Sequence, residues 1–255
     1  MIKNKIVSAL LDALYYLIAF ILIQLATNAI LTPLGASVTV VSAVSSVLTI
    51  ALFMCMRWSP FSRTYIRRRP WGVLFWTVVL AFGTIIPSEW LQEQMGVDMS
   101  DAMKQMFEQI LSSPTGYVVI GLLAPLAEEM VFRGAILRRL LQACDERWHW
   151  LPILLSALLF GAVHGNWAQF LHATLLGLLL GWMYYRTNSI VPGLALHWVN
   201  NSIVYVVYNL LPQAANGRLA DLFGGNERAV WMSLIFSLCI LLPSLFQLAT
   251  RMKKY

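Results

Sequence analysis

The sequence predicts an all-α fold, a polytopic bundle of about eight transmembrane helices with both termini in the cytoplasm. The first observation is composition: 59% of the 255 residues are hydrophobic and 12% are charged, whereas an ordinary soluble domain is about a quarter charged. The second is that apolar residues fall in blocks of about 20, the helix length that crosses a hydrocarbon core of about 30 Å. The third is the distribution of lysine and arginine.

Eight apolar blocks, separated by charged, proline-containing or glycine-containing segments, predict the helices. The blocks cover residues 6–31, 37–57, 71–91, 116–140, 150–165, 168–185, 190–211 and 229–250. The two blocks around His164 are short, so one of them is a candidate for a broken or re-entrant helix. We expect residues 1–255 to form a single membrane domain.

Basic residues separate to one side when successive loops are assigned to alternate faces of the membrane. With the N-terminus inside, Lys104, Arg218 and Arg228 are the only basic loop residues outside. Cytoplasmic loops retain positive charge, so the asymmetry supports both the count and the orientation. The net charge of +6 then has a topological cause, and the absence of a basic stripe interleaved with aromatics argues against nucleic-acid binding. The basic residues assigned to the inside are Lys3, Lys5, Arg57, Arg63, Arg67, Arg68, Arg69, Arg138, Arg139, Arg147, Arg186, Arg251, Lys253 and Lys254.

The long outer loop after the third block has its own helical pattern. Apolar residues recur at a spacing of three to four, with polar residues on the other faces, which predicts an interfacial helix. This helix is either an ordinary connector or a cover over a substrate cavity. Its apolar residues are Met103, Met106, Phe107, Ile110 and Leu111.

The fourth block carries three charged side chains, Glu128, Glu129 and Arg133. A charge at the bilayer centre costs about 2.5 kcal/mol or more, so such a helix is informative. Glu129 and Arg133 are four residues apart and are expected to form an ion pair. Glu128 points about 100° away and is expected to lack that partner. Either Glu128 titrates as a base, or all three residues form a structural salt-bridge cluster.

Later blocks add two histidines and an asparagine. The fifth block ends in Phe160-x-x-x-His164, and the seventh contains His197-x-x-x-Asn201. The spacing of four lets His197 and Asn201 project from one face. Together with Glu128 these residues favour a polar site over isolated packing residues. Three other polar residues carry less weight. His149 is expected to be an interfacial anchor and Asp12 a solvated group, while His172 is expected to be a packing residue, with a supporting partner of the site residues as the alternative.

Several catalytic classes are excluded by their missing motifs. There is no His-Glu-x-x-His zinc helix and no Gly-x-Ser-x-Gly elbow. Cys55, Cys144 and Cys239 occur singly, and none is paired with a suitable histidine. Water activation by Glu and His remains, with or without a metal.

The ordered set Glu128-Glu129-x-x-x-Arg133, Phe160-x-x-x-His164 and His197-x-x-x-Asn201 resembles the three motifs of the CPBP family, the type II CAAX prenyl proteases and bacteriocin-processing Abi membrane peptidases. The resemblance covers residues 115–212, which we interpret as a catalytic core. It implies an intramembrane endopeptidase in which Glu128 and His164 hold and activate the attacking water.

The resemblance further implies that His197 and Asn201 stabilise the oxyanion, while Glu129, Arg133 and Phe160 support the site. The family is described both as metal-dependent and as glutamate-type, and we favour a reaction without a required cofactor. A divalent metal such as zinc is the alternative, with Glu128, His164 and His197 as its ligands, although asparagine is a more natural oxyanion donor than zinc ligand.

The implied substrate is a membrane-embedded or lipidated peptide or protein, processed in the manner of CAAX proteins or bacteriocin leaders. The short loops and arginine-rich inner face suggest a multi-pass protein of a bacterial inner membrane. Two other functions are compatible with the buried polar residues: a non-enzymatic immunity or scaffold protein, and a transporter that uses the charges as a relay. The sequence shows no internal repeat of the kind that transporters often have.

Overall fold

The computed structural model describes residues 2–60, 63–96, 100–211 and 218–252. These residues are helical and contain no strand, which confirms the all-α class. A single 3₁₀ turn, Glu146–Trp148, precedes α7. The helices are α1 (Ile2–Leu31), α2 (Val38–Cys55), α3 (Arg63–Arg67), α4 (Trp71–Gln94), α5 (Asp101–Leu111), α6 (the continuous helix 118–143), α7 (Trp150–Ala162), α8 (Trp167–Thr187), α9 (Val191–Leu210), α10 (Leu219–Leu222) and α11 (Glu227–Arg251).

Each of the eight apolar blocks coincides with one long helix to within a few residues. Among the described residues, four stretches are long and apolar enough to cross a membrane: Asn4–Leu31, Val38–Cys55, Trp71–Gln94 and Glu227–Arg251. Helix α7 has 13 residues and is about 20 Å long, shorter than a bilayer core. The count of eight spans and the cytoplasmic location of both termini stay predictions. Lys253 and Lys254, assigned to the inner face, lie outside the described residues.

Helix α6 lies at the centre of the bundle. Every residue of its segment Met130–Leu137 is buried, as expected for a helix that neighbours surround on all sides. Helices α1 and α2 pack against one side of α6, α7 and α8 against another, and α9 along its first half. Helices α4 and α11 pair with each other, and α4 also contacts α8 and α9. The helix that carries the acidic motif is therefore enclosed by protein.

The outer surface of the bundle is apolar. Large hydrophobic side chains of α1 and α11 are well exposed, including Leu11 at 61% and Phe246 at 65%. Contiguous exposed apolar surface is unfavourable in water and favourable against lipid. Together with the apolar helices, this surface identifies an integral membrane protein.

The structure also describes two further features predicted from the sequence, the amphipathic helix and the environment of Asp12. The amphipathic helix forms as α5, with Ile110 and Leu111 buried, and packs against α2 and α9. Asp12, expected to be a solvated group, keeps about one third of its side chain exposed, and its Oδ2 also lies 2.5 Å from Nε of Arg139. The pair joins α1 to the end of α6.

Candidate active site

Helix α6 changes its hydrogen-bonding pattern on both sides of the acidic motif. The segments Val118–Leu123 and Met130–Leu137 are π-helical, and Ala124–Glu129 between them is α-helical. Short π segments within helices often mark functional sites. The N–H of Ala124 donates to the carbonyl of Val119, five residues earlier. The next residue is Pro125, which has no N–H to continue this pattern.

Glu129 and Arg133 form the expected ion pair, and both side chains are fully buried. Arg133 Nη1 lies 2.9 Å from Glu129 Oε1, and Nη2 donates to the carbonyl of Gly177 at 3.3 Å. The guanidinium also lies 4.4 Å from the centre of the Phe160 ring. Three elements thus hold Arg133 in place, so this pair is a rigid part of the site.

His197 lies between the two carboxylates of the motif. Its Nδ1 is 3.4 Å from Glu129 Oε1 and its Nε2 is 3.5 Å from Glu128 Oε2. A carboxylate accepts only, so the Nδ1–H of His197 donates to Glu129. Gly193 permits the approach of α9, since a Cβ at this position would lie 2.8 Å from Glu129 Oε2. The expectation that Glu128 has no partner is therefore incomplete, because Glu128 contacts His197 rather than Arg133.

Glu128 also lines a small polar cavity between α1, α2 and α6. Its side chain retains 20% exposure, whereas that of Glu129 retains none. The cavity has a volume of about 140 Å³, and a buried water needs only about 10–15 Å³ of such space together with polar partners. The serines of α2 that line this cavity were not identified from the sequence, because serines in an apolar helix are common. The other lining residues are Phe20, Gln24, Ser42, Ser45, Ser46, Ala124 and Ala127.

Phe160 and His164 lie at the end of α7. Nδ1 of His164 is 2.8 Å from the carbonyl oxygen of Phe160. Because a carbonyl only accepts, Nδ1 carries the proton, and Nε2 of a neutral His164 presents a lone pair. The Phe160 ring lies edge-on to both His164 and His197, at centroid distances of 5.1 and 5.7 Å. Phe160 therefore links the two histidines.

Asn201 belongs to a chain of polar contacts that sequence reasoning missed. Its Nδ2 donates to the carbonyl of Ile120 on α6 at 3.0 Å, and its Oδ1 accepts from Asn200 Nδ2 at 3.3 Å. Asn200 Nδ2 also lies 3.4 Å from His172 Nε2, and His172 Nδ1 is 2.7 Å from the hydroxyl of Ser88. His172 is thus hydrogen-bonded rather than a simple packing residue.

Several side chains of the site are of types that can bind a metal ion. The described residues contain no group of three or more His, Cys, Asp or Glu side chains arranged to hold a metal ion. The Nδ1–H of His164 donates to a backbone carbonyl, which leaves its Nε2 available to a ligand. Both ring nitrogens of His197, in contrast, face carboxylates. Among the described residues, Glu128, His164 and His197 are not gathered into a three-ligand zinc centre, and the metal alternative stays a prediction.

Residues 111–203 match the sequence model of the Rce1-like family, described as "Type II CAAX prenyl endopeptidase Rce1-like". This range contains the acidic motif, both histidines and Asn201. Neither the curated proteins nor the solved structures contain a match to the chain.

Proposed function

We propose that the chain cleaves a peptide bond of a membrane-associated substrate with water activated by Glu128 and His164. The match of residues 111–203 to the Rce1-like model supports its recognition as a CPBP-family protein. The observation that carries this proposal is the different environment of the two adjacent carboxylates. Glu129 is fully buried against Arg133, while Glu128 faces a polar cavity. Of these two carboxylates, Glu128 is the one that lines a cavity with space for a water molecule. The cavity is lined by residues of α1, α2 and α6, and the placement of His164 beside the same water is part of the proposal.

In the proposed reaction, Glu128 and His164 Nε2 position the water, and Glu128 takes its proton. The hydroxide oxygen bonds to the scissile carbonyl carbon, and the carbonyl π electrons become an oxyanion. Asn201 Nδ2–H and, when protonated, His197 Nε2–H donate to that oxygen. The intermediate collapses, the C–N bond breaks, and the leaving nitrogen receives the proton from Glu128. No step is assigned to a metal.

We further propose a CAAX-type substrate, with a lipidated C-terminal segment, because the matched family carries that description. A bacteriocin leader is the alternative substrate. The location is proposed to be a bacterial inner membrane, on the basis of the short loops and the basic inner face.

The test uses the full chain reconstituted in liposomes with a farnesylated peptide that ends in a Cys-a-a-X sequence, and mass spectrometry of the products. We expect the wild type to release the C-terminal residues and Glu128→Gln to be slower by about 10²-fold or more. Glu108→Gln is the matched control, because Glu108 is exposed on α5; it should cleave at the wild-type rate.

A parallel comparison of peptide termini in cells expressing wild type or Glu128→Gln, at equal membrane abundance, covers other substrates. Termini that arise only with the wild type would support proteolysis and name the substrate. Cleavage at the wild-type rate by the Glu128→Gln variant would contradict the proposed mechanism. If neither the liposome assay nor the cells show cleavage, the scaffold or immunity interpretation takes its place.

A further inference from the structure

We propose that Ser88, His172 and Asn200 are positioning residues that fix the side-chain amide of Asn201 in its oxyanion-binding orientation, through a one-way hydrogen-bond chain anchored on the Ile120 carbonyl. This inference rests on the proposed function, in which Asn201 donates to the oxyanion. It assigns a role to two residues outside the family-like motifs, Ser88 and His172, and to the asparagine that precedes the motif asparagine.

The anchor exists because of a proline. In the π segment the N–H of Ala124 donates to Val119 rather than to Ile120. The residue that would donate to Ile120 in the same pattern is Pro125, which has no N–H. The Ile120 carbonyl is thus left available within the helix, and Asn201 Nδ2 donates to it at 3.0 Å. A carbonyl left without a donor inside the bundle is unfavourable, so this partly buried bond is favoured.

The direction of the whole chain follows from that carbonyl. Ile120 O can only accept, so Asn201 must present its NH₂ group there and its Oδ1 to Asn200. Asn200 must then present its NH₂ group to Asn201 Oδ1, at 3.3 Å.

The same Asn200 NH₂ group faces His172 Nε2 at 3.4 Å. His172 Nε2 must therefore be the acceptor, which places the proton of the neutral ring on Nδ1. The Nδ1–H donates to the hydroxyl oxygen of Ser88 at 2.7 Å. Every group in the chain thus has one orientation in which each donor meets an acceptor.

The hydrogen-bond chain matters for catalysis because a rotated Asn201 amide would oppose oxyanion binding. With Nδ2 toward Ile120, the second amide hydrogen of Asn201 remains available for an oxyanion. A 180° rotation of the amide would present Oδ1, which repels an oxyanion, and would face one oxygen against Ile120 O. To reverse Asn201 with its neighbours satisfied, Asn200 and His172 would have to reverse too, and the carbonyl cannot. Four helices, α4, α6, α8 and α9, therefore contribute to holding the Asn201 donor in place.

The first test measures the tautomer of His172 without any substrate. Wild-type protein with ¹⁵N-labelled histidine is placed in nanodiscs, and the His172 ring signals are assigned by their absence in His172→Gln. We expect the neutral ring to carry its proton on Nδ1. A proton on Nε2 would overturn the proposal, since Asn200 could not then donate to His172.

The second test separates positioning from folding by kinetics on the farnesylated Cys-a-a-X peptide. We expect His172→Phe to lower kcat at least about tenfold with little change in KM. His172→Gln should stay within about threefold of wild type, because its Oε1 can accept from Asn200. In an Asn201→Ala background, His172→Phe should have little further effect on kcat. The same fold loss in both backgrounds would overturn the proposal.

Pro125→Ala gives an independent check on the anchor. The new N–H competes with Asn201 for Ile120 O, so we expect lower kcat in a variant whose unfolding midpoint is not reduced. Unchanged kcat would contradict the role of the Ile120 carbonyl as the anchor.

Two outcomes distinguish this inference from the proposed function. If Glu128→Gln abolishes cleavage but Asn201→Ala does not, the peptidase proposal stands and this inference fails. If Glu128→Gln cleaves normally and the His172 tautomer is as expected, only the proposed mechanism fails.

Discussion

Removing the charge of Glu129 should destabilise the protein more than removing both charges of its ion pair. In Glu129→Gln, the guanidinium of Arg133 loses the negative charge that lies 2.9 Å from its Nη1 and keeps at most a neutral amide oxygen there, while both side chains remain buried. The carbonyl of Gly177 and the Phe160 ring still contact Arg133, but neither carries a net negative charge. The buried cation is then uncompensated.

The magnitude follows from the burial of both groups. Breaking a buried pair by removal of one partner costs about 3–5 kcal/mol, which is about two to four orders of magnitude in the folding equilibrium. Replacement of both partners by apolar residues of similar size is often neutral or stabilising. The double variant Glu129→Met with Arg133→Met additionally loses the hydrogen bond to His197, which contributes about 1 kcal/mol. The double variant should therefore be more stable than Glu129→Gln.

The assay is denaturant unfolding in mixed micelles, followed by tryptophan fluorescence. It compares the wild type, Glu129→Gln, the two single variants Glu129→Met and Arg133→Met, and the double variant. We expect a loss of about 3–5 kcal/mol in Glu129→Gln and about 1–2 kcal/mol in the double variant. A loss below about 1 kcal/mol in Glu129→Gln would refute the reasoning. So would a double variant whose loss equals the sum of the two single losses.

Three further predictions concern other contacts. Gly193→Ala should lower the cleavage rate at least about tenfold in a folded protein, because its Cβ would meet Glu129 Oε2 at 2.8 Å. The control Gly72→Ala, whose Cβ meets only the flexible side chain of Arg251, should cleave at the wild-type rate. Equal rates in the two variants would contradict the role of Gly193. Asp12→Asn should cost at most about 1 kcal/mol in the unfolding assay, because its pair with Arg139 is partly exposed; a loss above about 2 kcal/mol would be inconsistent with that. Cleavage of the farnesylated peptide should survive dialysis against a strong chelator, as judged by the initial rate and by metal analysis; a loss that zinc restores would show that a metal takes part.

Local sequence patterns predicted much of the fold and part of the site. The apolar blocks matched the long helices because hydrophobicity over about 20 residues is a local property. The Glu129–Arg133 pair was predictable because its partners are one helical turn apart. The partner of Glu128 was not, because His197 is on another helix and the rotation of α9 against α6 decides which carboxylate it meets.

By itself, the sequence determined the class of protein, the order of its helices and the set of motif residues, since each depends on spacing within one segment. Tertiary structure alone decided which of these residues meet. Ser88 and His172 are 84 residues apart, and the serine wall beside Glu128 comes from a different helix. Such contacts depend on how helices pack and rotate, and on the π segments of α6 that leave the Ile120 carbonyl for Asn201. The residue pattern within a single helix does not predict how that helix packs against its neighbours.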